Sequence, residues 1–466
     1  MFSLYRNICS LYNKEKNIFS EDETTMDTME KLRILSDAAK YDVACTSSGA
    51  QKSARRGGIG SAEACGICHS FAGDGRCISL LKVLQTNACA YDCAYCVNRR
   101  SNDVRRAAFA SRELAELTIA FYRRNYIEGL FLSSGVAGTP DAATETMIET
   151  LRILREEYRF SGYIHAKAIP GADAALVRRL GLLADRLSVN IELPSGESLS
   201  RLAPDKTKPA ILGPMGLIQG GITENRHDLI RFRHTPRFAP AGQSTQMIVG
   251  ATGETDRHIL TLTSALYARY QLKRVFYSAY IPVNEARALP PVGTPPPLWR
   301  EHRLYQADWL LRFYGFSSDE LFDGTEGRLH PYLDPKCHWA LRHKEIFPLE
   351  VNRAPYELLL RVPGIGVKSA WRITRARRAA LLTWDALAKI GVVTKRARHF
   401  LVAKGKRYFD APAGNETLLL DLMSPRERAL FRAETAPVRQ LSLFDEETPT
   451  LSPAERKELS CLAAPM

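Results

Sequence analysis

From Ile78 onward the chain alternates between short apolar, β-rich runs and longer amphipathic stretches. The apolar runs are Ser79–Leu84, Gly129–Leu132, Tyr163–Ile169, Leu187–Leu193, Gln246–Ala251 and Val275–Ile281. Helical patterns with a 3.6-residue period lie between them at Ser111–Tyr126, Ala142–Tyr158 and Asp173–Leu183, and Thr255–Tyr270 continues the series. Strands alternating with helices over this length predict parallel βα units, an α/β fold in the form of a partial (βα)6 barrel. The run Pro290–Pro297 reads as a stiff connector that ends the barrel, with a helical stretch at Leu298–Tyr314 after it. This divides the chain into a polar, patternless extension (1–30, with Met26 or Met29 as alternative starts) and a cysteine-rich segment (31–78). The barrel (79–297), a helical connector (298–344), an all-α module (345–410) and a polar tail (411–466) follow.

Composition limits what such a chain can be. With 466 residues, 45% hydrophobic and 25% charged, it has the makeup of a globular protein of several domains, not of a disordered or fibrous one. No apolar run approaches the ~18–20 residues of a membrane span, and the N-terminus has no secretory apolar core, which predicts a cytoplasmic protein without a membrane partner. The formal charge of +13 is unevenly placed. Residues 336–410 hold 17 Lys and Arg against 5 Asp and Glu, a difference of 12. That concentration points to a polyanion, nucleic acid first of all, with a solvated helical face as the plainer reading.

Ten cysteines change the picture further, because seven of them fall within Cys45–Cys96. In a large chain without a secretion signal, clustered thiols argue for metal ligation before disulfides. Cys89, Cys93 and Cys96 form a C-x3-C-x2-C run directly after the first predicted strand. Three thiolates on one short loop can hold three corners of a [4Fe–4S] cluster and leave the fourth iron open; zinc would call for a fourth nearby ligand. Cys45, Cys65, Cys68 and Cys77 make a second set of four. Those four suit an auxiliary [4Fe–4S] cluster or a structural zinc, with unrelated thiols as the remaining reading and His69 as an alternative ligand. Cys9, Cys337 and Cys461 have no thiol at ligand spacing.

The triple-cysteine run, with Tyr95 before its last cysteine, resembles the signature of the radical S-adenosylmethionine (SAM) superfamily. The resemblance implies a TIM-like radical SAM barrel in which the open iron chelates SAM and an electron, from a donor such as flavodoxin or ferredoxin, cleaves it to a 5′-deoxyadenosyl radical. It also implies cofactor contacts at Tyr95 and at Ser133, Ser134 and Gly135, which end the second strand without the family's glutamate. Asn190 and Glu192, alternating on the fourth strand, would face the ribose. Gly250 and Glu254 would lie on the adenine side after the fifth strand.

The basic segment contains Leu358–Ala370, LLLRVPGIGVKSA, which resembles a helix-hairpin-helix DNA-binding module. One helix ends at Pro363-Gly364 and another starts near Val367, whose free N–H groups would face a phosphate. Gly364, Ile365, Gly366, Lys368, Arg372 and Arg375 are the predicted contacts, and residues 387–398 look like a second hairpin lacking one glycine. Together with CGICHSF, DGRCISLLKVLQTNAC and YDCAYCVNRRSND, these residues resemble a bacterial family of radical SAM proteins assigned to DNA modification or repair, often encoded beside a uracil-DNA-glycosylase-like protein. That implies a nucleoid-associated enzyme acting on DNA and names no substrate. An RNA-modifying radical SAM enzyme and a non-catalytic nucleic-acid-binding protein with structural clusters are the competing readings. In the tail, Gln440, Leu441, Leu443 and Phe444 are similar to the peptide that docks on the replication sliding clamp; packing back on the chain's own surface is the alternative.

Overall fold

The computed structural model describes residues 26–40, 67–71, 77–408 and 415–435, in two compact units that divide after Tyr408. Seven strands form one sheet whose order follows the chain: β1 (Ile67–Phe71), β2 (Cys77–Leu84), β3 (Gly129–Ser133), β4 (Tyr163–Lys167), β5 (Arg186–Ser188), β6 (Gln243–Val249) and β7 (Arg274–Ala279). β1 and β2 pair antiparallel. Every later pair is parallel, and β7 does not close onto β2, so the six parallel strands make a half-barrel.

The first helix, α1 (Thr28–Ala39), precedes the sheet, and the crossovers carry α2 (Ser111–Arg123), α3 (Pro140–Arg152), α4 (Ala174–Leu183), α5 (Gly196–Leu202), α6 (Lys208–Arg231) and α7 (Asp256–Tyr270). After β7 comes α8 (Leu298–Phe313). Their N-termini are set by local chemistry. Thr139, Asp173, Ser195, Thr207 and Thr255 each accept a first-turn N–H on the side chain, and Pro140 and Pro209 stand inside the first turns of α3 and α6.

Strand register separates two unlike faces. Leu81, Leu130, Ile164 and Leu187 lie on the helix side, where Gln243 donates to the Met215 carbonyl of α6 and Tyr277 bonds Thr263 of α7. There they are covered by Leu114, Met147, Ile148, Leu180, Met215 and Leu260, all fully buried. The opposite, concave face carries Lys82, Phe131, His165, Lys167, Ser188, Ser244 and Gln246. Each strand thus alternates between a hydrocarbon core and a polar lumen, which stabilises the sheet on one side and leaves chemistry on the other.

Several boundaries differ from the sequence reading. The N-terminal extension becomes helical at Thr28, two residues before its predicted end, and α1 buries Leu32, Leu35 and Ala39. The predicted fourth strand, Leu187–Leu193, is regular only over Arg186–Ser188. Glu192 takes φ +63°, which breaks the two-residue alternation and leaves it bridged singly to Met247. The 24-residue α6 went unpredicted because Gly213, Pro214, Gly216, Gly220 and Gly221 interrupt its pattern. Of its glycines, Gly221 serves packing, since a Cβ there would overlap the Phe238 ring, as would one at Gly181 of α4, whereas Gly213 and Gly220 face open space. The stretch at 298–314 is no connector: α8 packs on β7 and α7 as the last helix of the half-barrel.

Beyond it lie α9 (Ser318–Phe322), α10 (Pro335–Arg342) and the basic module with β8 (Leu349–Glu350), α11 (Tyr356–Arg361), α12 (Val367–Ala376), α13 (Trp384–Ile390), α14 (Thr394–Ala397) and β9 (Leu401–Val402). β8 and β9 pair in parallel and tie the module's two ends together. The second unit contains α15 (Asn415–Leu422) and α16 (Pro425–Thr435), the latter started by reciprocal Ser424 and Glu427 hydrogen bonds. No helix among the described residues is long and apolar enough to cross a membrane.

Two glycines test this packing. An added Cβ at Gly129 would overlap the Tyr163 carbonyl and press on Leu80, so Gly129→Ala is expected to destabilise by ~2 kcal/mol or more. At Gly220, inside α6, a Cβ meets open space, and Gly220→Ala should stabilise by ~0.5–1 kcal/mol. Chemical denaturation of the two variants reads both signs.

Candidate active site

The cysteine loop leaves β2 and runs from Gln85 to Phe109 across the C-terminal end of the half-barrel. A long loop must find partners for its backbone groups, and here one side chain supplies four of them. The Arg106 guanidinium donates to four carbonyls, those of Asn87 (2.6 Å), Asn98 (2.9 Å), Arg99 (2.7 Å) and Asn102 (2.9 Å). Asn87 returns two bonds to the strand-like exit of the loop, at Arg105 and Ala107. From the far side of the half-barrel, Asn284 donates to the carbonyls of Ala94 (2.8 Å) and Cys96 (2.9 Å) and accepts from Asn102 (2.7 Å). The loop is further tied to Leu202 through the Ala94 N–H, to Asp205 through the Asp92 N–H and to Val136 through the Ala90 N–H.

Cys89, Cys93 and Cys96 are all free thiols on this clamped loop. The Cys89 sulfur accepts from the Val136 N–H at 3.4 Å, and Cys93 is 5% exposed. Burial pushes the Cys93 thiol up and the Cys96 thiol up to about 12. Buried thiols of this kind stay protonated until a metal displaces the proton. No group of three or more His, Cys, Asp or Glu among the described residues could hold a single metal ion. In a cluster each thiolate binds its own iron, so three thiols on one loop suit three corners of a [4Fe–4S] cluster.

Gly135 lies against this loop. A Cβ there would sit 2.5 Å from the Ala88 carbonyl, and the Gly135 N–H donates to Thr86 at 2.7 Å. Ser133 is buried at the end of β3, and the Ser134 hydroxyl donates to the Gly135 carbonyl, occupying one of that oxygen's two lone pairs. Asn190 is buried and within 3.4 Å of Gln246 on the concave face. Gly250 (φ +89°) closes the turn after β6 against Pro297.

Two predicted cofactor contacts are engaged by the protein itself. Glu192 accepts from Lys206 (3.3 Å) and lies 3.9 Å from Lys167, with its carboxylate turned toward these ammonium groups. Glu254 is held by the hydroxyls of Ser195 (2.7 Å), Ser198 (2.5 Å) and Thr252. Burial would raise its pKa, but these hydroxyls outweigh burial and keep it below the ordinary glutamate value. Lys206 also reaches the Tyr95 hydroxyl at 3.2 Å. Burial disfavours the Lys206 ammonium, yet Glu192, Tyr95 and Cys93 together more than offset that and hold its pKa well above the lysine norm. Tyr95 packs beside a buried apolar cluster of Leu193, Leu202, Ala251, Tyr280 and Leu289, which excludes water next to the cysteine loop.

Arg106, Asn284 and Lys206 were missed in the sequence because their role is to bond backbone or a distant carboxylate, which leaves no spacing pattern. Lys82, His165 and Lys167 did carry a signal: polar residues at alternate positions of otherwise apolar strands mark the concave face.

In the basic module two short helices, α11 and α12, flank the turn at Pro363–Gly366. Gly364 has the left-handed φ expected (+88°), and a Cβ there would strike Val393, 2.5 Å from its carbonyl. Gly366 has an ordinary extended φ of −94°. Ile365 is buried, and its carbonyl accepts from the buried Lys336 at 2.6 Å. Arg372 donates to the Ile390 carbonyl at the end of α13, and Arg375 lies over the Trp371 ring at 4.6 Å. Lys368 is exposed on the first turn of α12. The second hairpin packs against the first through Val393 N–H to Gly364 and Ser369 to Gly391. In the cysteine-rich segment, the register places Cys68 opposite Leu80 and Cys77 opposite Phe71. Cys45, Cys65 and the peptide containing Gln440, Leu441, Leu443 and Phe444 lie outside the described residues.

The buried thiols make a direct prediction. With a pKa of about 12, Cys96 presents roughly one thiolate in 10,000 at pH 8. In metal-free native protein, iodoacetamide should label Cys93 and Cys96 at least ~10-fold more slowly than in urea-unfolded chain, with the Cys96 rate rising about tenfold per pH unit. Equal native and unfolded rates by peptide mass spectrometry would contradict the burial of these thiols.

No known family profile matches the chain, and no curated protein does. Among solved structures, the chain is similar to the crystal structure of HydG, a maturase of the FeFe-hydrogenase, at 10% identity and a TM-score of 0.37 over 49% of this chain and 48% of that one. It is likewise similar to the X-ray structure of the FeFe-hydrogenase maturase HydG from Carboxydothermus hydrogenoformans, at 15% identity and a TM-score of 0.38 over 49% of each chain. The chain thus spans about half the length of the solved structures it matches.

Proposed function

We propose that this chain is a radical SAM enzyme that acts on nucleic acid, DNA in the first instance. The observation that carries the reading is the set of three free cysteines on a clamped loop at the C-terminal end of a parallel half-barrel. Cys89, Cys93 and Cys96 would hold a [4Fe–4S] cluster, which supplies the electron that cleaves SAM to a 5′-deoxyadenosyl radical. The protein's own part is positional. Arg106 and Asn284 fix the loop's backbone, so the three sulfurs keep one arrangement. The Leu193–Leu202–Tyr280 cluster keeps water from the reacting end. The polar concave face below, from Lys82 through His165 to Gln246, offers hydrogen bonds and charge to a substrate entering the half-barrel.

Anaerobically reconstituted protein with dithionite should convert SAM to 5′-deoxyadenosine, and Cys93→Ala should abolish this. Persistent product from the Cys89→Ala/Cys93→Ala/Cys96→Ala variant would refute the assignment. Metal analysis speaks to Cys45, Cys65, Cys68 and Cys77: close to eight irons per chain supports an auxiliary cluster, about four irons with one zinc supports a structural ion.

The nucleic-acid half of the reading rests on the basic hairpin module. With Gly364 committed to internal packing, the contact falls to the first-turn N–H groups of α12 and to the exposed Lys368, Arg372 and Arg375. Such contacts hold the backbone without reading sequence. Lys368→Ala should therefore lower the slope of log affinity against log salt by about one, equally for unrelated duplexes. An unchanged slope would remove this hairpin from the interface.

A further inference from the structure

Helix α8 connects the two regions assigned so far. At 16 residues it is about 24 Å long. Its N-terminal end lies at the cysteine-loop end of the half-barrel, where Pro297 packs on Gly250 and Arg300 bonds the Glu254 carbonyl (2.5 Å) and Asp256 (2.6 Å). Its C-terminal end meets the hairpin. Arg361 donates to the carbonyls of Tyr314 (2.8 Å) and Gly315 (2.9 Å), Lys336 lies over the Tyr314 ring, and the Tyr314 hydroxyl would lie 3.5 Å from a Cβ added at Gly366.

The solvent side of α8 is made of flat side chains. His302, Gln306, Trp309 and Phe313 recur at spacings of four, three and four, which places them on one face. Trp309 is 52% exposed and Phe313 43%, with ring centroids 4.4 Å apart. The Arg312 guanidinium lies 4.8 Å from the Phe313 ring, held there by Asp308 and the Lys273 carbonyl. A second pair of the same kind, Trp371 (53% exposed) with Arg375 over its ring, stands on α12 of the hairpin. Large aromatics stacked in water are costly for a monomeric surface and mark a contact site. Beside a segment with 17 cationic and 5 anionic residues, the complementary partner is a polyanion that also presents flat apolar faces.

We propose that the outer face of α8 is a stacking track for unpaired nucleotides, leading from the hairpin toward the cysteine-loop end of the half-barrel. It rests on the nucleic-acid reading above and adds that the bound strand is locally single-stranded along α8. Bases stack on Trp309 and Phe313, and Arg312 adds cation–π attraction at the edge of the pair. Stacking tolerates any base, so the track would be indifferent to sequence.

Fluorescence anisotropy with the full-length protein separates the two claims. A labelled oligo(dT) strand and a labelled duplex of equal length are titrated against wild type, Trp309→Ala/Phe313→Ala, Trp309→Phe, Trp309→Leu and Lys368→Ala. The double variant should weaken oligo(dT) binding by ~10-fold or more while duplex binding moves less than ~2-fold. Trp309→Phe should retain most of the affinity that Trp309→Leu loses, and Lys368→Ala should weaken both nucleic acids. Unchanged oligo(dT) binding by the double variant, equal behaviour of the Phe and Leu variants, or equal loss of both nucleic acids would each overturn the track. Wild type binding duplex but not oligo(dT) would overturn the track alone; binding neither would overturn the nucleic-acid reading with it.

Discussion

Four backbone carbonyls converging on the Arg106 guanidinium are the interaction on which the candidate site depends. The loop between β2 and α2 is too long to satisfy its own backbone and too close to the sheet to be fully wet. Arginine is suited to the task because its planar fork donates in several fixed directions at once, which a lysine ammonium does not reproduce. Asn284 completes the arrangement from the segment after β7. A half-barrel has two open edges, and this asparagine joins the loop of its first parallel strand to the chain leaving its last. The rim is therefore closed by side-chain hydrogen bonds where a full barrel would close by strand pairing.

The same half-barrel has to manage two solvents. Its convex face is hydrocarbon and is stabilised by helix burial, at roughly 25 cal/mol per Å² of apolar surface removed from water. Its concave face buries ionisable groups, which costs free energy unless they are paired. Glu192 shows how the protein meets that cost, with its carboxylate between Lys206 and Lys167 and the Lys206 ammonium also bonded to Tyr95. Tyr95 is thus held by charge on one side and by the Leu193–Leu289 cluster on the other, which fixes the residue next to the last cysteine of the motif.

In the basic module, internal packing outcompeted solvent for several groups. Gly364 is glycine because two hairpins approach there, with Val393 within reach of an added Cβ. Arg372, itself exposed, donates to the Ile390 carbonyl at the C-terminus of α13, a favourable place for a cation. What remains facing outward is a broad set of cations, Lys368, Arg372, Arg375, Arg378, Lys389 and Lys395 among them, with the exposed ring of Trp371 on the module and those of Trp309 and Phe313 on the adjoining α8.

The sequence by itself determined the βα repeat, the position of the cysteine loop after the first parallel strand, and the hairpin, because each is encoded locally: by periodicity, by thiol spacing and by a glycine turn. It also placed most strand and helix ends within a few residues. Tertiary structure alone decided which side chains serve the site. Arg106, Asn284 and Lys206 act through contacts with distant backbone or carboxylate groups, and such contacts leave no period in the chain. The same holds for the corrections. Glu192 left its strand because a positive φ turned it to Lys206, α6 formed despite five glycine and proline positions, with the Phe238 ring filling the space beside Gly221, and α8 joined the barrel by packing on β7 and α7. Local pattern sets what an element can be, and long-range packing sets which way its residues point.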